Sequence, residues 1–171
     1  MRMVTEEAYS LFFFWVSVMI NSLEIKKIVE KKINEIGGFL VDLKVSNSNV
    51  ISLSFDKMEG VNFDDCLKIT KFIEENFDRD IEDYELNVSS AGLANSFKVD
   101  QQYIKNIGKV VNILLVNGER KSGKILSYDN KNLKIEVQKK IKETKKNNTV
   151  KHEIIIPQSD IKETKLKIKW K

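Results

Sequence analysis

The apolar positions of this chain change their spacing several times, and each change predicts an element. Ile25, Ile28, Val29, Ile33 and Ile36 recur at helical intervals, and Gly37-Gly38 stops the stripe where a C-cap belongs. The period then falls to two. Phe39, Val41, Leu43 and Val45 alternate with other residues, Asn47-Ser-Asn49 turns the chain, and Ile51, Leu53 and Phe55 alternate again, which predicts a hairpin. After Gly60, Asn62 can cap a second helix with the inner stripe Cys66, Ile69, Ile73 and Phe77. Tyr84, Leu86 and Val88 alternate with Glu85 and Asn87, a strand that closes the unit. The predicted order is αββαβ, with two helices on one face of a small sheet.

Residues 94–108 read as a linker with one helical turn, where Asp100 can cap residues 101–105 and Gly108 ends the turn. Beyond it the period stays at two. Strands are predicted over 110–116, 122–128 and 150–156, around Leu133, Ile135 and Val137, and around Leu166, Ile168 and Trp170. Asn117-Gly118 is a hairpin turn, and Gly123 marks a bend. Five short strands with tight turns predict a small closed barrel. The fold class is therefore α+β, with domains at 21–93 and 109–171 and an extension at 1–20.

Composition adds that 42% of residues are hydrophobic and 32% charged, which is ordinary for a globular chain and excludes disorder of the whole. The net charge of +4 conceals a division. Residues 1–98 carry 11 basic and 17 acidic groups, while residues 99–171 carry 18 basic and 8 acidic ones, so the two halves expect different partners. The single Cys66 forbids an intramolecular disulfide and fits a reducing compartment. Its helical spacing predicts a small buried thiol.

Leu11-Phe-Phe-Phe-Trp-Val-Ser-Val-Met-Ile20 is apolar at nine positions of ten. A spanning helix needs about 20 apolar residues, and a signal peptide needs a basic start and a small-residue cleavage site. Here Arg2 is set against Glu6 and Glu7, which leaves three readings open: a natural start at Met19, a signal or anchor, or an additional helix. Asn21 and Glu24 follow Met19 at the spacing of a capping box, which favours the first.

The chemistry-bearing motifs are few. Tyr84-Glu-Leu-Asn-Val-Ser-Ser-Ala-Gly-Leu93 delivers a strand into a Ser-Ser-x-Gly turn, where Ser89 and Ser90 can bond the backbone and Gly92 gives a sharp exit. No glycine precedes the serines as a nucleophile elbow requires, and the lone His152 lies in another pattern. Asp64 and Asp65 could suggest a metal, yet no third ligand stands at a recognisable spacing; in a first helical turn they complement the helix dipole. No catalytic set, cofactor or metal is expected.

With Gly60-Val-Asn-Phe-Asp-Asp-Cys66 upstream and Ile155-Ile-Pro-Gln-Ser-Asp-Ile161 downstream, this stretch resembles the ribosome maturation factor RimP family, over roughly residues 23–168. The family turn is usually Val-Ser-Ser-Pro-Gly-Leu-Asp-Arg-Pro-Leu. Val88, Ser89, Ser90, Gly92 and Leu93 keep it, whereas Ala91, Ala94, Asn95, Ser96 and Phe97 depart, and the family's arginine is replaced by Asn95. The resemblance implies a cytoplasmic, non-catalytic factor that binds the immature small ribosomal subunit. It implies an Sm-like barrel in the second half, with Ser159-Asp-Ile161 as the short turn before the last strand, and it makes Asp64, Asp65, Ser89, Ser90 and Gly92 motif residues.

For binding, Lys139, Lys140, Lys142, Lys145 and Lys146 fall in a predicted loop between barrel strands, a natural phosphate contact, and Arg120, Lys121 and Lys124 widen the patch. The blander reading is a solvated loop that keeps the protein soluble. Lys165, Lys167, Lys169 and Lys171 alternate with apolar residues as the wet face of an edge strand. Tyr128 and Trp170 stand singly, so no stacking platform for RNA is expected. The leading function is a ribosome assembly factor whose acidic half meets ribosomal protein and whose basic half meets ribosomal RNA. It is expected to be a monomer when free, with no small-molecule substrate and no membrane. A general RNA-associated Sm-like protein and a carboxylate-dependent hydrolase are the alternatives.

Overall fold

The computed structural model describes residues 22–81, 83–141 and 148–168. It divides into two compact units between Ala91 and Gly92. The first contains α1 (Ser22–Glu35), β1 (Gly38–Val45), β2 (Val50–Lys57), α2 (Phe63–Asn76) and β3 (Glu85–Ser90). The strands form a sheet in the order β1-β2-β3, with β1 antiparallel and β3 parallel to β2. Parallel pairing needs a crossover, and α2 supplies it.

One core holds this unit. Ile25, Val29 and Ile33 of α1 and Ile69 and Ile73 of α2 are buried in it against Ile51, Leu53 and Phe55 of β2, as the two periodicities predict. The alternation of β1 is different. A register shift between Leu40 and Asp42 absorbs one residue, so Leu40 joins Leu43 and Val45 on this core in place of Val41, while Phe39 is buried outside the cluster. Cys66 is partly buried and packs against the core's edge, less enclosed than expected. Burial pushes its thiol up from the ordinary value, with the Asp65 charge adding to the effect.

The second unit contains α3 (Asp100–Lys105), β4 (Val110–Leu115), β5 (Arg120–Tyr128), β6 (Asn132–Ile141), β7 (Asn148–Pro157), a 3-10 turn (Gln158–Asp160) and β8 (Ile161–Leu166). Its antiparallel sheet runs β7-β6-β5-β4-β8, so the last strand returns beside the first. No pairing joins β7 to β8 among the described residues, and the sheet is open rather than the closed barrel expected. Tyr103 of α3 packs with Val111, Ile113, Ile125, Leu133 and Ile135 in a separate core.

Two elements of this unit depart from expectation. The final strand is Ile161–Leu166 and not the stretch around Ile168 and Trp170; Ile168 lies beyond it, and Trp170 lies outside the described residues. Ile161 and Leu166 pack on the core, but the fully buried position between them is the polar Thr164, bonded to the Tyr103 hydroxyl at 3.2 Å, so the apolar alternation is broken. Asp100 is the first residue of α3 and not its cap. The backbone N–H groups of Lys98 and Val99 instead donate to the Gln102 side chain, at 2.7 and 3.3 Å. Among the described residues, no helix is long and apolar enough to cross a membrane.

Candidate functional site

Two groups of sequence-selected residues lie in the first unit. At the start of α2, the Asn62 side chain accepts from the Asp65 backbone N–H at 2.8 Å, and the Asp65 carboxylate accepts from the Asn62 N–H at 3.2 Å, a reciprocal capping box. Lys57 reaches the same carboxylate at 3.2 and 3.3 Å. The Asn62 N–H is the main cause that holds the Asp65 carboxyl below the usual carboxylate range; its burial opposes this, and Lys57 assists. Asp65 is 3% exposed and fully engaged, whereas Asp64 points to water in the same first turn. Among the described residues, no three His, Cys, Asp or Glu groups gather to hold a metal ion.

Ser89 and Ser90 are the last residues of β3, not a turn. They pair with Ser54 and Phe55 of β2, and the Ser89 hydroxyl donates to the Leu53 carbonyl at 3.5 Å. Strand pairing continues one step further, since the Ala91 N–H bonds the Phe55 carbonyl at 3.0 Å, and this straightens the serines. The turn begins at Gly92, whose φ of +73° lies in the left-handed region where side chains are disfavoured. A Cβ there would stand 3.0 Å from the Asn95 side-chain nitrogen, so Asn95 closes over the turn within the second unit.

The cations of the second unit sort by strand alternation. Arg120 and Lys124 lie on one face of β5 with Ser122 between them, while Lys121 belongs to the opposite set and pairs with Glu119 at 3.0 Å. Lys134, Lys151 and Lys165 are likewise bound to Glu153, Glu136 and Glu163. Arg120 and Lys124 have no carboxylate partner among the described residues. Of the expected lysine loop, Lys139 and Lys140 have backbone placed on β6, paired with Val150 and Thr149, so they belong to a ribbon rather than a loop. Lys142, Lys145 and Lys146 lie outside the described residues. β5 pairs with β6 only through Glu136, and the β6–β7 pairing continues beyond it to Ile141 and Asn148.

Sequence reasoning missed two features here. Tyr128 does not stand alone: its ring stacks on Tyr103 at 4.6 Å, and Phe97 meets Tyr103 edge-on at 5.1 Å. The Tyr128 hydroxyl donates to Asp100 at 2.5 Å, and burial followed by that carboxylate drives its ionisation well above the ordinary range. This aromatic group braces α3 against the sheet. The second feature is an open trough on the face of β5, β4 and β8, where Asn112 lies level with Ser122 on one side and Lys165 on the other. One part encloses about 640 Å³ between Arg120 and Ile168, and another about 430 Å³ between Leu93 and Lys109; Leu166 and Ile168 line both. Its pattern was present in the alternation of Val110, Asn112 and Leu114 with Arg120, Ser122 and Lys124, but the third wall comes from the unannounced β8.

Comparison with known proteins places the chain in a family. The family model described as the RimP N-terminal domain matches residues 28–94. A protein named ribosome maturation factor RimP from Porphyromonas gingivalis is 33% identical over 147 residues, 85% of this chain and 97% of that one. Its namesake from Christiangramia forsetii is 33% identical over 148 residues, 85% of this chain and 96% of the relative. A third, from Flavobacterium psychrophilum, is 37% identical over 91 residues, 53% of this chain and 59% of its own. With a third of the aligned residues identical along nearly the full length of two such relatives, the chain belongs to the ribosome maturation factor RimP family.

Proposed function

We propose that this chain is a cytoplasmic, non-catalytic assembly factor that binds the immature small ribosomal subunit as a monomer. The first unit docks on a basic ribosomal protein, and the second touches ribosomal RNA. The observation that carries this reading is the coincidence of charge with structure. Up to Ala91 the chain has 10 basic and 17 acidic groups, and from Gly92 it has 19 and 8, so the sign reverses where one compact unit gives way to the other. Opposite charge orients encounter with a basic protein, while lysines and arginines gain affinity for RNA by releasing its counterions. The return of β8 beside β4 and the close approach of β6 to β5 at Gly123 support an open Sm-like barrel for the second unit.

In this reading Arg120, Lys121 and Lys124 contribute phosphate contacts together with Lys139, Lys140, Lys142, Lys145 and Lys146. Asp64, Asp65, Ser89, Ser90 and Gly92 present the first unit's docking elements. Asp65 acts indirectly, through the capping box that sets the direction of α2. Sedimentation with immature small subunits at low and moderate salt tests the proposal. Co-sedimentation that weakens as salt rises is expected; failure to co-sediment at both concentrations would sink it. Substrate turnover that disappears in an Asp64→Ala, Asp65→Ala double variant which still folds would instead favour the hydrolase.

A further inference from the structure

The trough on the second unit has a definite chemical character. Its walls carry Arg120, Lys165, Lys109 and Lys167, and among the described lining residues Glu163 is the one carboxylate. Its floor is aliphatic, from Val110, Leu114 and Ile168. On the β5 side the donors are linear: Arg120, Ser122 and Lys124 occupy alternate positions of one strand and therefore project to the same face about 6.8 Å apart. Lys124 stands level with Val110, and Arg120 with Leu114. Neither cation is committed to a carboxylate among the described residues, so neither needs to break an ion pair before meeting a ligand.

A ligand for this surface must be a polyanion that also offers flat apolar faces at regular intervals. Double-stranded RNA meets only the first condition, because pairing and stacking hide its bases. An acidic peptide meets the charge condition but has no periodic apolar plane. An unpaired RNA segment meets both, with phosphates along the β5 donors and bases or sugars turned onto the aliphatic floor. We infer that the face of β5, β4 and β8 is a track for single-stranded RNA, its backbone running along Arg120, Ser122 and Lys124. This inference rests on the RNA-contacting reading of the second unit and adds where the RNA lies and in which form. Among the described residues the lining of this face is aliphatic and not aromatic, and since aliphatic contact does not distinguish one base from another the track is tolerant of base sequence.

The test measures binding of the full chain to a short fluorescent oligouridine and to an RNA duplex of equal length over a series of salt concentrations. The expected result is that the single strand binds more tightly. An Arg120→Gln, Lys124→Gln variant should lose roughly tenfold in affinity for it, with the slope of log K against log salt reduced in magnitude by about 1.4 for the two lost contacts. Asn112→Glu, which puts a carboxylate in the middle of the exposed face, provides an independent check and should weaken the single strand as well. Thermal melts of both variants should match the parent. Single-strand binding untouched by either variant, equal binding of the duplex, or preferential binding of a poly-glutamate peptide overturns the track. If the parent binds RNA and only a Lys145→Gln, Lys146→Gln variant loses it, the track fails while the broader RNA reading stands. If the parent binds neither RNA, the broader reading fails as well.

Discussion

A carboxylate almost withdrawn from water persists at Asp65 because two groups donate to it, the Asn62 N–H and the Lys57 ammonium. The Asn62 side chain satisfies one of the N–H groups that the first turn of α2 leaves open. Asn62→Ala should therefore cost about 1 kcal/mol of stability, read from the shift of the urea midpoint at constant slope. The charge of Asp65 makes a second prediction. Its folded carboxyl titrates below the ordinary value of 3.8, chiefly because of the Asn62 N–H, so the folded state binds its proton less readily than the unfolded chain does. The resulting stability is fully present above 3.8 and is lost as pH falls through the lower folded value. Asp65→Asn should flatten the acid limb of the stability curve below 3.8 without changing its shape near neutrality. An unchanged acid limb in that variant would mean that other carboxylates govern acid unfolding.

The elements show what a pattern can and cannot reveal. Each helix of the first unit was legible because its buried stripe is aliphatic and its ends carry local signals, Gly37 after α1 and Asn62 before α2. The strand alternation of β1 misled, because the extra residue at its register shift exchanges the two faces without leaving a mark in composition. β8 was hidden for another reason: its fully buried position is Thr164, made acceptable by the distant Tyr103 hydroxyl, and a sequence does not display a partner 61 residues away. The trough suffers doubly, since its walls come from β4, β5 and β8 at once. The bend expected at Gly123 is not where β5 is irregular, since its register shift lies between Ile125 and Ser127; the glycine answers instead to packing. A Cβ at that position would stand 2.7 Å from the Glu136 carbonyl oxygen of β6, closer than any side chain tolerates. Gly123→Ala should destabilise the second unit by about 1 to 3 kcal/mol, seen as a lower melting temperature. Retention of the parent's melting temperature would show that β5 and β6 separate there at little cost.

At the scale of the whole molecule, the charge reversal coincides with two hydrophobic cores that share no residue. Ile69 belongs to the one that α1, α2 and β2 build, and Ile125 to the one enclosed by the second sheet and Tyr103. Each core is built from its own unit's residues, so each unit is expected to set its own local stability. The prediction is thermodynamic. Ile69→Val deletes one buried methyl group and should lower the hydrogen-exchange protection of α1, α2 and β2 by about 1 kcal/mol, leaving the amides of β4 and β5 at parental values. Ile125→Val should do the converse. Native-state exchange followed amide by amide distinguishes this from a single cooperative body, in which either substitution would lower the slowest amides of both units equally. Such a common shift would show that the electrical division of the chain has no counterpart in its stability, and that binding at one unit is felt in the other through global unfolding alone.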